Sequence, residues 1–241
     1  MKIIRFDQLP STNQHLLQLI NQQDFEEGLC VQADFQTNGR GQQGNYWESE
    51  SGKNLTFSFV LCPDFLSASN QFILSQLVSV AIKQTLDRYT KGVSVKWPND
   101  IYWNDKKIAG ILIENSLIGY HIEHSVIGIG LNVNQEHFLD TTPNPISLKM
   151  ILGKSLDISI LLNDLLESIF AQYTELAQDG ADLIREKYNN SLYRKDGYYP
   201  FRDENGDFIA RVACVMDDGK LCLVTDVGEN REYYFKEVEW L

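Results

Sequence analysis

The chain has 241 residues, 43% of them hydrophobic and 22% charged, with 16 Gly and only 6 Pro, which excludes disordered, collagen-like and low-complexity classes. Its 21 Lys and Arg against 33 Asp and Glu leave a net charge of −12, a poor match for nucleic acid as the main partner, since phosphate contacts need a basic face. An anionic small ligand must then be held by a local exception to the global field.

Residues 1–7 alternate like a strand. Pro10 precedes Ser11-Thr12-Asn13-Gln14, and Ser11 with Gln14 three residues on is a capping-box pattern that opens a helix carrying Leu16, Leu17, Leu19 and Ile20. Residues 29–35 read as a strand and residues 38–45 as a glycine-rich loop. In 54–61 the alternation of Leu55, Phe57, Phe59 and Leu61 predicts a strand with one buried face. Residues 70–90 form a long amphipathic helix. Strands are expected over 93–97, 101–103, 108–114 and 121–133, with Asn104-Asp105 as a turn. A short helix at 147–153 and two longer ones at 159–178 and 180–193 follow.

Beyond residue 190 the character changes. Aromatic and β-branched clusters are separated by the turn signals Asn205-Gly206, Asp218-Gly219 and Val227-Gly228, which predicts a module of four or five short strands. The expected fold class is α+β: a mixed or antiparallel sheet with helices over 1–190, then a small barrel-like β domain over 191–241. Cys30, Cys62, Cys214 and Cys222 lie in apolar, strand-like contexts with no C-x-x-C pair, so they are expected to be buried, reduced thiols. No signal-peptide pattern and no apolar run near the ~18 residues of a membrane span is present, and the expected location is the cytoplasm.

Three constellations carry chemistry. Gly39-Arg40-Gly41-Gln42-Gln43-Gly44 is a literal G-x-G-x-x-G, but a dinucleotide fingerprint must open a helix, and here Trp47 and Glu48 lead into another strand. A P-loop fails too, because Asn45 stands where its Lys would be, and a kinase loop lacks its D-F-G and H-R-D partners. What survives is a loop whose backbone can approach a ligand closely, with Arg40 as a planar cation, or else a tight turn with a solvated Arg. In Lys96-Trp97-Pro98-Asn99-Asp100, a lysine at the end of an apolar strand suits a carboxylate or a phosphate under attack; the alternative is a salt bridge to a nearby acid. Third, small residues at Ala109, Gly110, Gly128 and Gly130 suggest a ligand or another backbone lying against the sheet, and Asn132 between Leu131 and Val133 is a buried amide that a nucleobase edge or the backbone must satisfy. His121 and His124 face opposite sides of a strand, so neither a metal pair nor an H-E-x-x-H is expected.

Ser11-Thr12-Asn13, Gln36 with GRGQQGNYW, KWPND, KKIAGILIE and GIGLNVN occur in the order and spacing of one family: over nearly its whole length the chain resembles biotin protein ligase. The resemblance implies a mixed central sheet flanked by helices, followed by a small C-terminal SH3-like β-barrel. It implies a ligase that makes biotinyl-5′-AMP from biotin and ATP with Mg²⁺, then transfers biotin to a lysine of the biotin carboxyl carrier domain of a carboxylase. On this resemblance Ser11, Thr12, Asn13 and Gln36 look like the biotin contacts, with Arg40, Gly41 and Gln42 in a loop that closes over biotin and the adenylate. Lys96 looks like the essential lysine, with Arg40 as the second catalytic group. Gly39, Gly44, Trp47, Lys107 and Asn132 fall at the ATP and adenylate positions, Trp47 packing on adenine and Asn132 reading it. No metal ligand is assigned.

Two departures stand out. The family loop commonly reads G-R-G-R-x-G-R, whereas Gln42 and Asn45 replace two arginines here, so Lys106, Lys107 or Mg²⁺ must neutralise more of the phosphate charge. Only ten residues precede Ser11, too few for the winged helix-turn-helix domain of bifunctional members, so the monofunctional form is expected. The expected partners are biotin, ATP and a carrier domain, with neither DNA nor a membrane, and with a homodimer left open. The alternatives are a lipoate-type ligase, from which KWPND and the GRG loop point away, and a non-catalytic biotin or nucleotide sensor, against which Lys96 and Arg40 speak.

Overall fold

Pleated alternation along residues 54–61 produces an interior strand of the larger sheet. A computed structural model describes residues 2–22, 24–139 and 144–241, with Gln43 described by its backbone. The strands are β1 (Ile3–Leu9), β2 (Cys30–Gln36), β3 (Leu55–Leu61), β4 (Val93–Lys96), β5 (Asp100–Trp103), β6 (Lys106–Ile118) and β7 (His121–Leu131). They form one sheet in the order β1-β2-β3-β7-β6-β5-β4. β1 and β2 run parallel and every other neighbouring pair is antiparallel, so the sheet is mixed.

All seven residues of β3 are buried, which corrects the expectation of one buried face. Phe57 and Phe59 lie in the main core with Leu77 of α2 (Phe72–Leu86) and Leu165 of α4 (Ile158–Asp179). The opposite face is covered by α1 (Thr12–Gln22), whose Leu16 and Ile20 pack with Val31, Val60 and Val126. An interior strand of a sheet covered on both faces has no solvated side, and its polar members Thr56 and Ser58 face α1 rather than water.

The cap predicted at Ser11 forms. Gln14 N reaches Ser11 Oγ at 3.5 Å at the start of α1, and Asp157 accepts from Ser159 N at 2.8 Å and Ile160 N at 3.2 Å at the start of α4. Ser147 opens α3 (Leu148–Leu152), which ends on Gly153 in the left-handed region at φ 69°. After α5 (Asp182–Asn190) the chain enters a five-stranded antiparallel sheet. Its strands are β8 (Tyr199–Asp203), β9 (Gly206–Val215), β10 (Leu221–Thr225), β11 (Asn230–Tyr233) and β12 (Glu239–Trp240), in the order β11-β10-β9-β8-β12.

The second sheet is docked on the first. Trp97 Nε1 donates to Gly219 O at 2.8 Å, Val95 pairs with Leu192, and one apolar core runs from Phe57 through Ile101 to Phe201 and Leu221. The cysteines are free, but only Cys30 is buried. Burial pushes its thiol up to about 12. Cys62, Cys214 and Cys222 are half-buried, because Cys62 falls just past β3 and the other two face each other across the β9–β10 ladder of a small sheet. No helix among the described residues is long and apolar enough to cross a membrane.

Candidate active site

Three glycines leave the paired strands β6 and β7 bare over one patch. Gly110 pairs directly with Gly130, and Gly128 with Leu112. A Cβ at Gly128 would fall inside the Asn13 carboxamide, and one at Gly130 inside the Trp47 indole. The start of α1 and the Trp47 ring can therefore lie flat on the sheet. Above this floor opens a cleft of about 610 Å³, within the range of small-ligand sites.

One end of the cleft is a hydrogen-bond network. Thr12 N and Oγ1 donate to Gln36 Oε1 at 2.8 and 3.1 Å. Asn13 Nδ2 donates to Glu114 Oε2 at 2.8 Å and to Leu112 O at 3.3 Å. Ser58 Oγ stands 2.6 Å from Asn13 Oδ1 and 2.7 Å from Thr12 Oγ1, its single proton shared between those two acceptors. The network fixes the rotamers of Thr12, Asn13 and Gln36 before any ligand arrives.

The other end is cationic. The glycine loop is a hairpin closed by Trp47 N to Gly39 O (3.1 Å) and Gly41 N to Asn45 O (2.7 Å), with a single 3₁₀ turn at Gln42–Gly44 and Gly44 at φ 87°. It opens no long helix, as its sequence context requires. Arg40 lines the cleft and has no ion-pair partner among the described residues. Lys107 pairs with Asp100 at 2.6 Å and lies 5.8 Å from the Trp47 ring centroid. Lys96, at the end of β4, forms no ion pair among the described residues; its Nζ is 3.3 Å from Tyr102 Oη. Burial is the largest influence on Lys96 and lowers its pKa below the usual lysine value; Asp100 opposes that effect, while Arg194 and Lys107 reinforce it. Among the described residues no carboxylate pairs with Lys96, which speaks against the salt-bridge alternative.

Of the residues singled out from sequence, Ser11, Thr12, Asn13, Gln36, Arg40, Gly41, Gln42, Trp47, Lys96 and Lys107 all line this cleft. Asn45 lines it as well. Gly39, Gly44 and Asn132 do not. Asn132 lies just beyond β7 with its backbone satisfied by Ile108 O (2.9 Å) and Leu148 N (3.1 Å). Its side-chain Oδ1 is buried without a partner among the described residues, and so is Trp47 Nε1. Such orphaned buried atoms point to an absent ligand or water. Lys106, expected to help neutralise phosphate, is not part of the lining.

The sequence reading missed Ser58, Glu114 and the wall supplied by the second sheet, Phe235 to Trp240. Ser58 carried a signal, a polar residue between Phe57 and Phe59; nothing local in the sequence marks Trp240. The described residues contain no group of three His, Cys, Asp or Glu able to hold a metal. His121 is exposed and His124 buried, on opposite sides of β7 as alternation requires.

A model of the biotin/lipoate A/B protein ligase family matches residues 5–132, from β1 to the end of the glycine floor. The chain belongs to that family. Among ligases with which it aligns is the bifunctional ligase/repressor BirA of Bacillus subtilis, 31% identical over 237 residues, or 96% of this chain and 72% of that protein. The human biotin–protein ligase is 35% identical over 144 residues, 56% of this chain and 20% of that one. The biotin protein ligase from Aquifex aeolicus, solved in complex with biotin and ATP, superposes with a TM-score of 0.82 at 25% identity, covering 100% of this chain and 99% of that ligase. That superposition extends past the family match into β8–β12, so the C-terminal sheet belongs to the shared ligase architecture.

Proposed function

We propose that the chain is an ATP-dependent biotin–protein ligase that activates biotin as biotinyl-5′-AMP and transfers it to a lysine of a carrier domain. The observation that carries this reading is the two-ended cleft: a preorganised amide and hydroxyl cluster at one end, Arg40 and Lys96 without ion-pair partners among the described residues at the other, and a glycine floor between them. The first end suits an uncharged, hydrogen-bonding ring; the second suits a carboxylate meeting a phosphate.

In the first step a biotin carboxylate oxygen attacks the α-phosphorus of ATP, the bond to the β-phosphate oxygen breaks, and pyrophosphate leaves. Lys96 and Arg40 face the negative charge that builds on the reacting oxygens. In the second step the neutral amine of the acceptor lysine attacks the acyl carbon, an amide forms, AMP departs with the bonding pair, and the amine loses its proton. Ser11, Thr12, Asn13 and Gln36 hold the biotin ring and tail, while Gly41 and Gln42 close over it. Trp47 packs on adenine, and Asn132, buried outside the cleft lining, reads its exocyclic amine only if the Oδ1 is uncovered when the nucleotide binds. Lys107 faces the phosphates, and Gly39 and Gly44 give the loop its hinge geometry.

Mg²⁺ fits this site as an ion brought with the nucleotide, shielding the phosphate charge. Asp100 and Glu239 line the cleft, and Mg²⁺ is commonly held by one or two carboxylates together with substrate phosphates. We assign residues 1–190 to the catalytic domain and 191–241 to the SH3-like domain, and place the reaction in the cytoplasm with no role for DNA. Labelled biotin should appear on the carrier lysine only when ATP and Mg²⁺ are present, and labelled lipoate should not; equal transfer of lipoate would overturn the assignment to biotin.

Two predictions concern the loop. Restoring charge with Gln42→Arg and Asn45→Arg places two cations on the cleft wall and should tighten ATP about tenfold at low salt, with stronger salt dependence and little change in biotin affinity. Calorimetry at two ionic strengths measures this, and an unchanged ATP affinity contradicts a phosphate location for the loop. Closure of the hairpin over ligand should also slow tryptic cleavage after Arg40 once biotin and ATP are added. Equal cleavage rates with and without ligand count against closure.

A further inference from the structure

Lys96 is held by rings rather than by a carboxylate. Its Nζ lies 4.8 Å from the centroid of the Tyr102 ring and 5.7 Å from those of Tyr193 and Trp240. Asp100, its register partner in the β4–β5 hairpin, is engaged instead by Lys107 at 2.6 Å. The three rings come from separate parts of the chain: β5, the segment after α5, and β12 of the C-terminal barrel.

Each ring is fixed by a second contact. Tyr102 and Tyr193 lie 5.2 Å apart, and Tyr193 and Trp240 5.5 Å apart. Tyr193 Oη donates to Asp105 Oδ1 at 2.6 Å. Trp240 packs on Phe201 at 4.9 Å and pairs with it in the β8–β12 ladder, and the next residue, Leu241, accepts from Arg194 Nη1 at 2.8 Å. Ring faces attract an ammonium without cancelling its charge, whereas a carboxylate at the same place would compete with an anionic substrate.

We propose that Tyr102, Tyr193 and Trp240 form an aromatic cage that positions Lys96 for the adenylation step, making Trp240 of the C-terminal barrel a positioning residue for chemistry in the neighbouring sheet. The proposal rests on the reading of Lys96 as the cation that faces the reacting carboxylate and phosphate. It gives the barrel a defined task, since without β12 the lysine loses one wall of its cage.

Trp240→Leu keeps an apolar side chain against Phe201 but removes the ring face, whereas Trp240→Phe keeps one. In biotin-dependent pyrophosphate exchange, Trp240→Leu should lower kcat by about tenfold while leaving KM for biotin and ATP within about threefold, and Trp240→Phe should recover most of kcat. Equal kcat values for the two variants, or a change confined to KM, overturn the cage. If Trp240→Leu fails to fold, Tyr193→Phe against Tyr193→Leu makes the same comparison on the second ring, and equal kcat values there overturn it too. Lys96→Ala, measured in parallel, separates the two layers: loss of rate in Lys96→Ala with no difference between Phe and Leu sinks the cage alone. Full rate in Lys96→Ala sinks the reading of Lys96 itself.

Discussion

Lys96→Ala is expected to fold like the parent chain and to form the adenylate about 10²–10³-fold more slowly, the usual loss when one preorganised charge-stabilising group is removed. The fold should survive because Lys96 closes no ion pair among the described residues and its removal orphans no buried carboxylate: Asp100 keeps Lys107 at 2.6 Å. The rate should fall because a strand-end cation facing developing negative charge contributes more to the transition state than to the ground state. Biotin affinity should change far less than the rate. Pyrophosphate exchange, calorimetry and a thermal melt on one preparation test all three statements, and a rate within about threefold of the parent contradicts the catalytic role.

The second large effect is expected from one methyl group. In Gly128→Ala the new Cβ enters the volume of the Asn13 carboxamide, so Asn13 must leave the floor of the cleft. Its bonds to Glu114 Oε2 and Ser58 Oγ, at 2.8 and 2.6 Å, are lost with it. Orphaning buried polar groups costs about 1–3 kcal/mol each, so the melting temperature should fall, and loss of the Asn13 bond proposed for the biotin ring should weaken biotin binding by about 100-fold. Adding Asn13→Ala makes room for the methyl but does not replace the lost bonds, so it should recover only part of the melting temperature and none of the biotin binding. A biotin Kd that moves less than about threefold in Gly128→Ala would show that Asn13 does not touch the ligand.

Gly128 also shows why part of the site could be read from sequence. Small residues inside an otherwise apolar strand announce that something lies against it, and in the structure Asn13 and Trp47 do. The start of α1 was legible for a local reason: Ser11 reaches a backbone N–H only three residues away. The second buried face of β3 was not legible, because alternation reports the pattern of one strand and not what covers its other side. Ser58 reads as an outward polar residue until α1 is known to sit above it.

The surroundings of Lys96 were the least accessible to sequence reasoning. KWPND places a lysine at a strand end, but whether an acid or a ring receives it depends on Tyr193 and Trp240, nearly a hundred residues and more downstream. Asp100 lies four residues away and is the obvious partner by spacing. It is claimed by Lys107 from the next strand, a choice made by the register of β5 against β6. The cysteines illustrate the same limit. Apolar neighbours predict burial, yet Cys214 and Cys222 sit on a small sheet without enough layers to cover both faces.

The central claim is that this one cleft joins biotin to the α-phosphate of ATP. It is tested most directly by exchange of labelled pyrophosphate into ATP by the purified chain, with no acceptor protein present. Exchange should be absent with ATP and Mg²⁺ alone, appear when biotin is added, and vanish in Lys96→Ala. Exchange that proceeds equally without biotin, or that is missing when all three are present, contradicts the assignment of the cleft to biotin adenylation.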